Sequence, residues 1–144
     1  MESLRIKHLV DFLENARPLD LEEVYYATGV TFEDSFLHTM EDTLVLLDEE
    51  DRVYAIGGFP KGHVVWMLCT KRVEENKILF LRSVKSIFKE FIDKKDWLYN
   101  YVWMGNELHV KWLKWMGAEF KEPLYRGIDN QPFRLFYFEK EVSK

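Results

Sequence analysis

The spacing of apolar and polar positions divides the chain into a helical first part, a strand-rich middle and a mixed last part. Residues 9–16 and 76–95 place apolar side chains three and four positions apart, which predicts amphipathic helices. Between them, the apolar runs 43–47, 53–57 and 63–70 are separated by an acidic segment and a glycine-rich segment, which predicts an antiparallel meander. The pattern therefore predicts one α/β domain.

The first forty residues are predicted to form a short strand and three helices. Residues 4–7 alternate as a strand does. Asp20 with Glu23 resembles a capping box at the start of a helix over residues 21–28, and Gly29 would end that helix in the left-handed conformation. Four apolar residues that share one face predict a third short helix: Phe32, Phe36, Leu37 and Met40.

The stretch 97–120 has the pattern of a strand, a turn, a helix and the start of another strand. Its aromatic and β-branched run, 97–104, is followed by Gly105-Asn106 and by a helical segment that ends at Gly117. Such a junction often builds a site, because a helix start presents free N–H groups. The chain is then predicted to end in a hairpin of two strands, residues 119–125 and 133–138.

Composition restricts the classes of protein to which the chain can belong. The chain has 144 residues, of which 47% are hydrophobic, and no apolar run approaches the ~20 residues needed to span a bilayer. Its first ten residues lack a secretory signal pattern. The single cysteine, Cys69, excludes an internal disulfide and a zinc cluster built from cysteines, and it suits a reducing cytoplasm. The histidines lack a spacing such as H-E-x-x-H, so the sequence predicts no metal site.

The charge is unevenly distributed. The net charge is −5, and residues 1–51 hold most of the acidic side chains, whereas residues 52–144 are net basic. This asymmetry suits an anionic small ligand or a charged protein partner, and it equally suits two solvated faces. Basic and acidic residues alternate along 76–95, so we expect no binding to nucleic acid.

The order of the predicted elements resembles the GCN5-related N-acetyltransferase (GNAT) fold over essentially the whole chain. The resemblance implies a single GNAT-like domain, 1–144, with a mixed, mostly antiparallel central sheet that is flanked by helices and whose central strands splay apart. The most specific local match resembles the late motif of that family, in which an asparagine opens a helix, a tyrosine stands in its second turn and Gly-Phe closes it: Asn106-x-x-His109-x-x-Trp112-Leu113-x-x-x-Gly117-Ala118.

A narrower resemblance is to the internal virion protein A family, which are GNAT-like proteins of short-tailed phages. It implies a phage-encoded protein in the host bacterial cytoplasm or in the virion, with a host or phage protein as partner. The matching positions are Asn100-Tyr101-Val102-Trp103-Met104-Gly105-Asn106, then His109, Leu113, Lys114, Gly117, Ala118 and Phe120, and earlier Ala55-Ile56-Gly57-Gly58 with Trp66.

The GNAT resemblance implies acetyl-CoA as the cofactor. In that family the strand before the long helix splays from the next strand and holds the pantetheine arm, and the helix start binds the pyrophosphate. The splayed strands would be 63–70 and 97–104 here, with a pantetheine wall of Trp66, Met67 and Leu68. The other implied contacts are Thr70, Lys71, Arg72, Lys77 and Asn106. The loop 70–77 lacks the family's glycines and contains Glu74 and Glu75, which either oppose phosphate binding or cap the helix.

Catalysis of acetyl transfer requires a neutral amine and a proton for the leaving thiolate. Leu113 stands where the family has its tyrosine, so Tyr101, or Tyr99, would supply the proton, and His63 and His109 are candidate bases. Each candidate has a structural alternative: a strand tyrosine packed in the core, a partly exposed first-turn histidine and, for Asn106, a helix N-cap.

Two functions stay open on this basis. One is an acyl-CoA-dependent N-acetyltransferase that acts on a host protein, a phage protein or a small amine. The other is a GNAT-fold binding protein with reduced catalysis that acts in virion assembly or on a host protein. The glycine-free loop and Leu113 favour the second function.

Overall fold

The computed structural model describes residues 2–36, 43–58 and 62–141. Their helices and strands follow one another as β1 (Glu2–Ser3), α1 (Ile6–Asn15), α2 (Pro18–Thr28), α3 (Phe32–Phe36), β2 (Leu44–Leu47), β3 (Val53–Gly58), β4 (Trp66–Cys69), α4 (Lys77–Lys95), β5 (Trp97–Trp103), α5 (Glu107–Trp115), β6 (Glu119–Phe120), β7 (Leu124–Arg126) and β8 (Gln131–Glu139). No helix in these ranges is long and apolar enough to cross a membrane.

The strands form two antiparallel halves that meet at one point. The first half has the order β1-β2-β3-β4, and the second has the order β5-β8-β6, with β7 also paired to β8. The halves join where Val64 pairs with Tyr99 in parallel and the Val65 N–H donates to the Tyr99 carbonyl at 3.1 Å. Beyond this junction β4 and β5 separate. The predicted α/β fold, with a mostly antiparallel sheet and splayed central strands, is confirmed.

The start of the chain differs from the prediction. Residues 4–7 do not form a strand, because α1 already begins at Ile6 and the Arg5 N–H donates to Nδ1 of His8 at 3.0 Å. The second helix begins at Pro18. Proline suits this position because the first N–H groups of a helix have no partner within the helix, so the absence of an N–H costs no hydrogen bond. Asp20 is therefore inside the helix and is not its cap. Gly29 ends α2 at φ 81°, as predicted.

The later elements mostly keep their predicted places. The predicted strand 119–125 is interrupted into β6 and β7 around Pro123, which has no N–H to give to a ladder. Helix α3 spans Phe32–Phe36, and the predicted contributions of Leu37 and Met40 lie outside the described residues. Residues 59–61 of the glycine-rich connection lie outside them as well.

The core lies on both faces of the strands. Helices α4 and α5 cover one face, with Phe80, Leu98 and Trp112 among the buried side chains. Helices α1, α2 and α3 cover the β2–β4 half on the other face, where Phe12 and Ile56 are fully buried. The split between β4 and β5 is thus enclosed by helices from both sides.

Candidate functional site

A cavity of about 380 Å³ lies in the split between β4 and β5. Trp66, Met67 and Leu68 form its β4 wall, where the resemblance implied a pantetheine arm. The remaining surface comes from β5 and from helices on both faces and is mainly apolar, with Asn100, Tyr101, Val102, Phe32, Phe36, Trp112 and Leu113 among the lining residues. The cavity therefore suits an apolar or extended ligand that passes between two strands.

The free edge of β4 is partly occupied by the chain itself. Successive residues of a strand direct their backbone N–H and C=O groups to opposite sides. The Thr70 N–H donates to the Tyr54 carbonyl on β3 at 2.9 Å. The backbone groups of Val65, Met67 and Cys69 are therefore directed to the other side, toward β5. Val65 uses its groups at the junction, where its carbonyl accepts from Nδ2 of Asn100 at 2.8 Å. This leaves Met67 and Cys69 to face the split.

The chain also covers the edge at Cys69. Its N–H donates to Oδ2 of Asp20 at 2.5 Å, and its carbonyl accepts from the Arg17 N–H at 3.0 Å. The residue before Arg17, Ala16, pairs with Thr70 as an antiparallel bridge. The junction of α1 and α2 thus closes one end of the split, and of the three backbone positions only Met67 is directed at the cavity within the described part of the chain.

Arg17 and Asp20, which close this end of the split, belong to a buried polar network. Nη1 of Arg17 donates to Oδ1 of Asp20 at 2.5 Å, and Nδ2 of Asn106 donates to the same oxygen at 3.1 Å and to Oε1 of Glu23 at 2.9 Å. Nε2 of His109 lies 3.1 Å from Oδ2 of Asp20, and its Nδ1 lies 3.6 Å from Oε1 of Glu23. Helix α2 is thereby tied to the start of α5.

Burial and charge set the protonation states in this network. Burial alone would lower the pKa of His109, but the negative charge of Asp20 raises this pKa well above its usual value. Burial opposes ionisation of Asp20 as well, yet the charges of His109 and Arg17 hold the pKa of this carboxyl below its usual value. Burial also raises the pKa of the Cys69 thiol. The charge of Asp20 therefore favours the protonated form of His109, in which the ring has no free lone pair to act as a base.

The other two predicted catalytic residues, Tyr101 and His63, lie in different places relative to the cavity. Tyr101 lines the cavity, and the guanidinium of Arg126 lies 4.0 Å from the centre of its ring. His63 does not line it: its ring stacks on Trp97 with centroids 3.6 Å apart, and its Nδ1 lies 2.8 Å from the Trp97 carbonyl oxygen. The structure brings Tyr101 and His109 to the cavity and leaves His63 outside it.

The predicted phosphate loop is a compact turn that is bound to the rest of the chain. Residues Lys71–Glu74 form a 3₁₀ helix. Oγ1 of the buried Thr70 donates to the Val53 carbonyl at 2.8 Å, and both terminal nitrogens of Arg72 donate to the Asp11 carboxylate at 2.8 Å. Lys71 and Lys77 are exposed. Arg72 therefore faces α1 and is already paired with a carboxylate.

The Asp11–Arg72 pair predicts part of the acid sensitivity of the protein. The hydrogen bonds from Arg72 lower the pKa of Asp11 below 3.8 against the opposing effect of burial. The ionised Asp11 carboxylate therefore stabilises the folded state fully above about pH 4, and this stabilisation is lost as the pH falls through the pKa of Asp11 in the folded state. We expect Asp11→Asn to lower the free energy of unfolding at pH 7 by about 1–2 kcal/mol and to flatten its decline below pH 4.

Urea unfolding from pH 7 to pH 3 measures this effect. Glu14→Gln, an exposed position on the same helix, is the matched control and should leave the profile unchanged. A parallel decline in the wild type and Asp11→Asn would contradict the assignment.

Sequence reasoning missed most of the buried network. Asn106 stands at the N-cap position of α5, but its side chain makes no cap hydrogen bond, so the predicted cap is wrong in its side-chain role. His109 was expected to be partly exposed, and only 8% of it is exposed. The spacing of Asp20 and Glu23, three positions apart, is typical of a capping box. The sequence feature that could have indicated the network is the combination of Arg17 with two acidic residues, Asp20 and Glu23, at the start of one helix.

The comparison with family models identifies the chain. The model described as "Bacteriophage T7, probable scaffold protein Gp13" matches residues 43–124, which is more than half of the chain. The chain belongs to this family. The probable scaffold protein gp13 of Escherichia phage T7 is 37% identical to it over 93 residues, which make up 60% of this chain and 62% of that protein. The chain thus matches less than two thirds of the length of this relative.

Solved structures show that this family member has the GNAT fold. The spermidine N-acetyltransferase of Vibrio cholerae, solved in complex with CoA and spermine, is 11% identical, with a TM-score of 0.68 and coverage of 96% of this chain and 93% of that one. A GNAT-family acetyltransferase of Bacillus anthracis is 10% identical, with a TM-score of 0.69 and coverage of 94% and 90%. At these identities the likeness concerns the fold alone.

Proposed function

We propose that the chain is a GNAT-fold binding protein that acts in the assembly of a phage particle, with acetyl transfer reduced or lost. The observation that carries this proposal is that side chains and backbone of the chain itself bind the edge of β4 and the loop 70–77, where the resemblance implied the cofactor. Asp20 and Arg17 bind the backbone of Cys69, and Asp11 binds Arg72. The description of its family as probable scaffold proteins and the resemblance to internal virion protein A support the assembly role.

The side chains around the cavity also disfavour acetyl transfer. The charge of Asp20 raises the pKa of His109 and so favours its protonated form, which cannot accept a proton from an amine. Leu113 lines the cavity at the position of the family's tyrosine and has no proton to donate. Tyr101 is the one predicted donor that lines the cavity in the described part of the chain, and the Arg126 guanidinium covers its ring.

An exposed aromatic face offers a contact for another protein. We define it by His63, Trp97, Tyr99 and Tyr137, on the side of β5 and β8 that faces away from α4 and α5. Trp97 is 43% exposed, stacks on His63 and lies 5.8 Å from Tyr99 between ring centroids. Tyr99 pairs directly with Tyr137 across the two strands. Partly exposed aromatic rings in one patch are typical of protein interfaces. We propose that a structural protein of the phage particle binds here.

Sedimentation of assembling phage particles tests the assembly role. We expect the wild type to co-sediment with them and the double variant Trp97→Ala, Tyr137→Ala to lose at least about tenfold in association, since interface anchors of this kind contribute roughly 2 kcal/mol or more. Trp115→Ala is the matched control, because Trp115 is 50% exposed but lies on α5. Absence of the wild type from the particles, or full association of the double variant, would refute the proposal.

An acyl-CoA-dependent N-acetyltransferase is the second candidate function, and the cavity is the observation that favours it. An extended thioester would lie along Trp66, Met67 and Leu68 and use the Met67 backbone, with Lys71 and Lys77 near the phosphates and Tyr101 as the proton donor. The Vibrio cholerae enzyme shows that this fold can hold CoA. Binding of acetyl-CoA separates the two candidates.

A further inference from the structure

Three buried side chains from three separate elements converge beside the cavity. A carboxylate oxygen of Asp20 on α2, Sγ of Cys69 on β4 and a ring nitrogen of His109 on α5 all lie within 4.8 Å of one another. Asp20 and Cys69 are 0% exposed. These are three of the side-chain types that bind Zn²⁺ in proteins. We propose that Asp20, Cys69 and His109 form a Zn²⁺ site.

The ring of His109 points to such an ion. Its Nε2 is buried and lies 3.1 Å from Oδ2 of Asp20, an ion contact that lacks the geometry of a directed hydrogen bond. A buried ring nitrogen without a directed partner is uncommon, because burial removes its bonds to water. A metal ion between Nε2, Oδ2 and Sγ would give each of these atoms a strong bond.

The Asp20 carboxylate is held as a ligand should be. A carboxylate has about four acceptor positions. On Oδ1 two are taken, by Arg17 and Asn106, and on Oδ2 one is taken by the Cys69 N–H. The remaining position belongs to Oδ2, the oxygen beside Nε2 of His109. Arg17 thus contacts the oxygen away from the proposed ion and orients the carboxylate.

The other nitrogen of His109 has the partner that metal-bound histidines usually have. Its Nδ1 lies 3.6 Å from Oε1 of Glu23, and Oε2 of Glu23 accepts from the Trp103 N–H at 3.1 Å. A carboxylate at the second nitrogen fixes the ring orientation and makes the ligating nitrogen more basic. Glu23 is therefore a positioning residue of the site.

The chemistry of binding balances in charge. Zn²⁺ bonds at about 2.0–2.3 Å to thiolate, imidazole and carboxylate, and coordination releases the Cys69 thiol proton and the Nε2 proton of His109 to solvent. One dication thus replaces two protons, and the net charge of the buried cluster does not change. Three protein ligands leave a fourth position, which a water from the cavity that His109 lines can fill.

Metal titration of the purified chain in a reducing, chelator-free buffer tests the site. We expect one Co²⁺ per chain with a thiolate charge-transfer absorption band, displacement of Co²⁺ by Zn²⁺, and a higher melting temperature with Zn²⁺. Cys69→Ser should abolish the band. Glu23→Gln should keep it but weaken Zn²⁺ binding about 10–100-fold in a competition assay. His63→Gln, outside the cluster, should bind as the wild type does.

The wild type alone is sufficient to overturn the proposal. Calorimetric titration with Zn²⁺ that gives no one-to-one binding would refute the site, whatever the folding of the variants. A charge-transfer band that persists in folded Cys69→Ser would refute it too, since Cys69 is the single thiol of the chain.

Discussion

Replacing Asp20 by alanine is expected to lower the free energy of unfolding by about 3–5 kcal/mol, because the change leaves buried charges without their partner. The Asp20 carboxylate is fully buried and lies against Arg17, Asn106, His109 and the Cys69 N–H. Its loss would leave the buried Arg17 guanidinium without this partner and would remove the negative charge that raises the pKa of His109. Urea unfolding in metal-free buffer at pH 7 measures the change.

Glu22→Ala is the matched control for this prediction. Glu22 is an exposed acid on the same helix, so its removal should change the free energy of unfolding by less than about 0.5 kcal/mol. If Asp20→Ala were as stable as Glu22→Ala, the network would not hold α2 against β4 and α5, and our account of the closed split would fail.

Replacing Phe80 by alanine is the second large effect, with an expected loss of about 3–5 kcal/mol. Phe80 is fully buried near the start of α4, and its ring lies 5.6 Å from the ring of Tyr54 on β3 and 5.4 Å from that of Trp112 on α5. It thereby connects the first half of the sheet to α5, which packs on the second half. Removal of the ring leaves a cavity between them, and thermal and urea unfolding measure the cost.

Ile78→Ala on the same helix is the control, because Ile78 is 68% exposed and has little packing to lose. We expect it to stay within about 0.5 kcal/mol of the wild type. Equal stability of the two variants would contradict the placement of Phe80 in the core.

The elements with long, clear periods could be predicted from the sequence. The helix predicted over 76–95 is observed as Lys77–Lys95, and the strand predicted over 97–104 is observed as Trp97–Trp103. Their apolar positions repeat over many residues, and polar or glycine positions bound them. Residues 4–7 were too few to distinguish alternation from one turn of a helix, and the helix prevailed because Ile6 begins α1.

The site could be predicted only where it follows from the fold. The resemblance to GNAT proteins implied a wall of Trp66, Met67 and Leu68, and these residues do line the cavity in the split. The closure of that split could not be predicted, since Asn106 meets Asp20 across 86 residues of chain. A three-residue spacing shows a local cap but cannot show a contact formed by tertiary packing.

The role of His109 also depends on contacts that only tertiary packing creates. In sequence it is a candidate base because it is a histidine, with a partly exposed side chain in the first turn of a helix as the structural alternative. In the fold it is buried between Asp20 and Glu23, and the charge of Asp20 raises its pKa although burial opposes the change. The sequence arguments against a metal site concern histidine spacing and the single cysteine, and neither addresses mixed ligands that come from three elements.

Calorimetric titration of the purified chain with acetyl-CoA and with free CoA tests the central claim most directly, namely that this GNAT fold has lost its cofactor site to its own contacts. We predict no detectable heat of binding and no shift in melting temperature with either ligand. Saturable one-to-one binding at micromolar strength, about 8 kcal/mol, would contradict the claim.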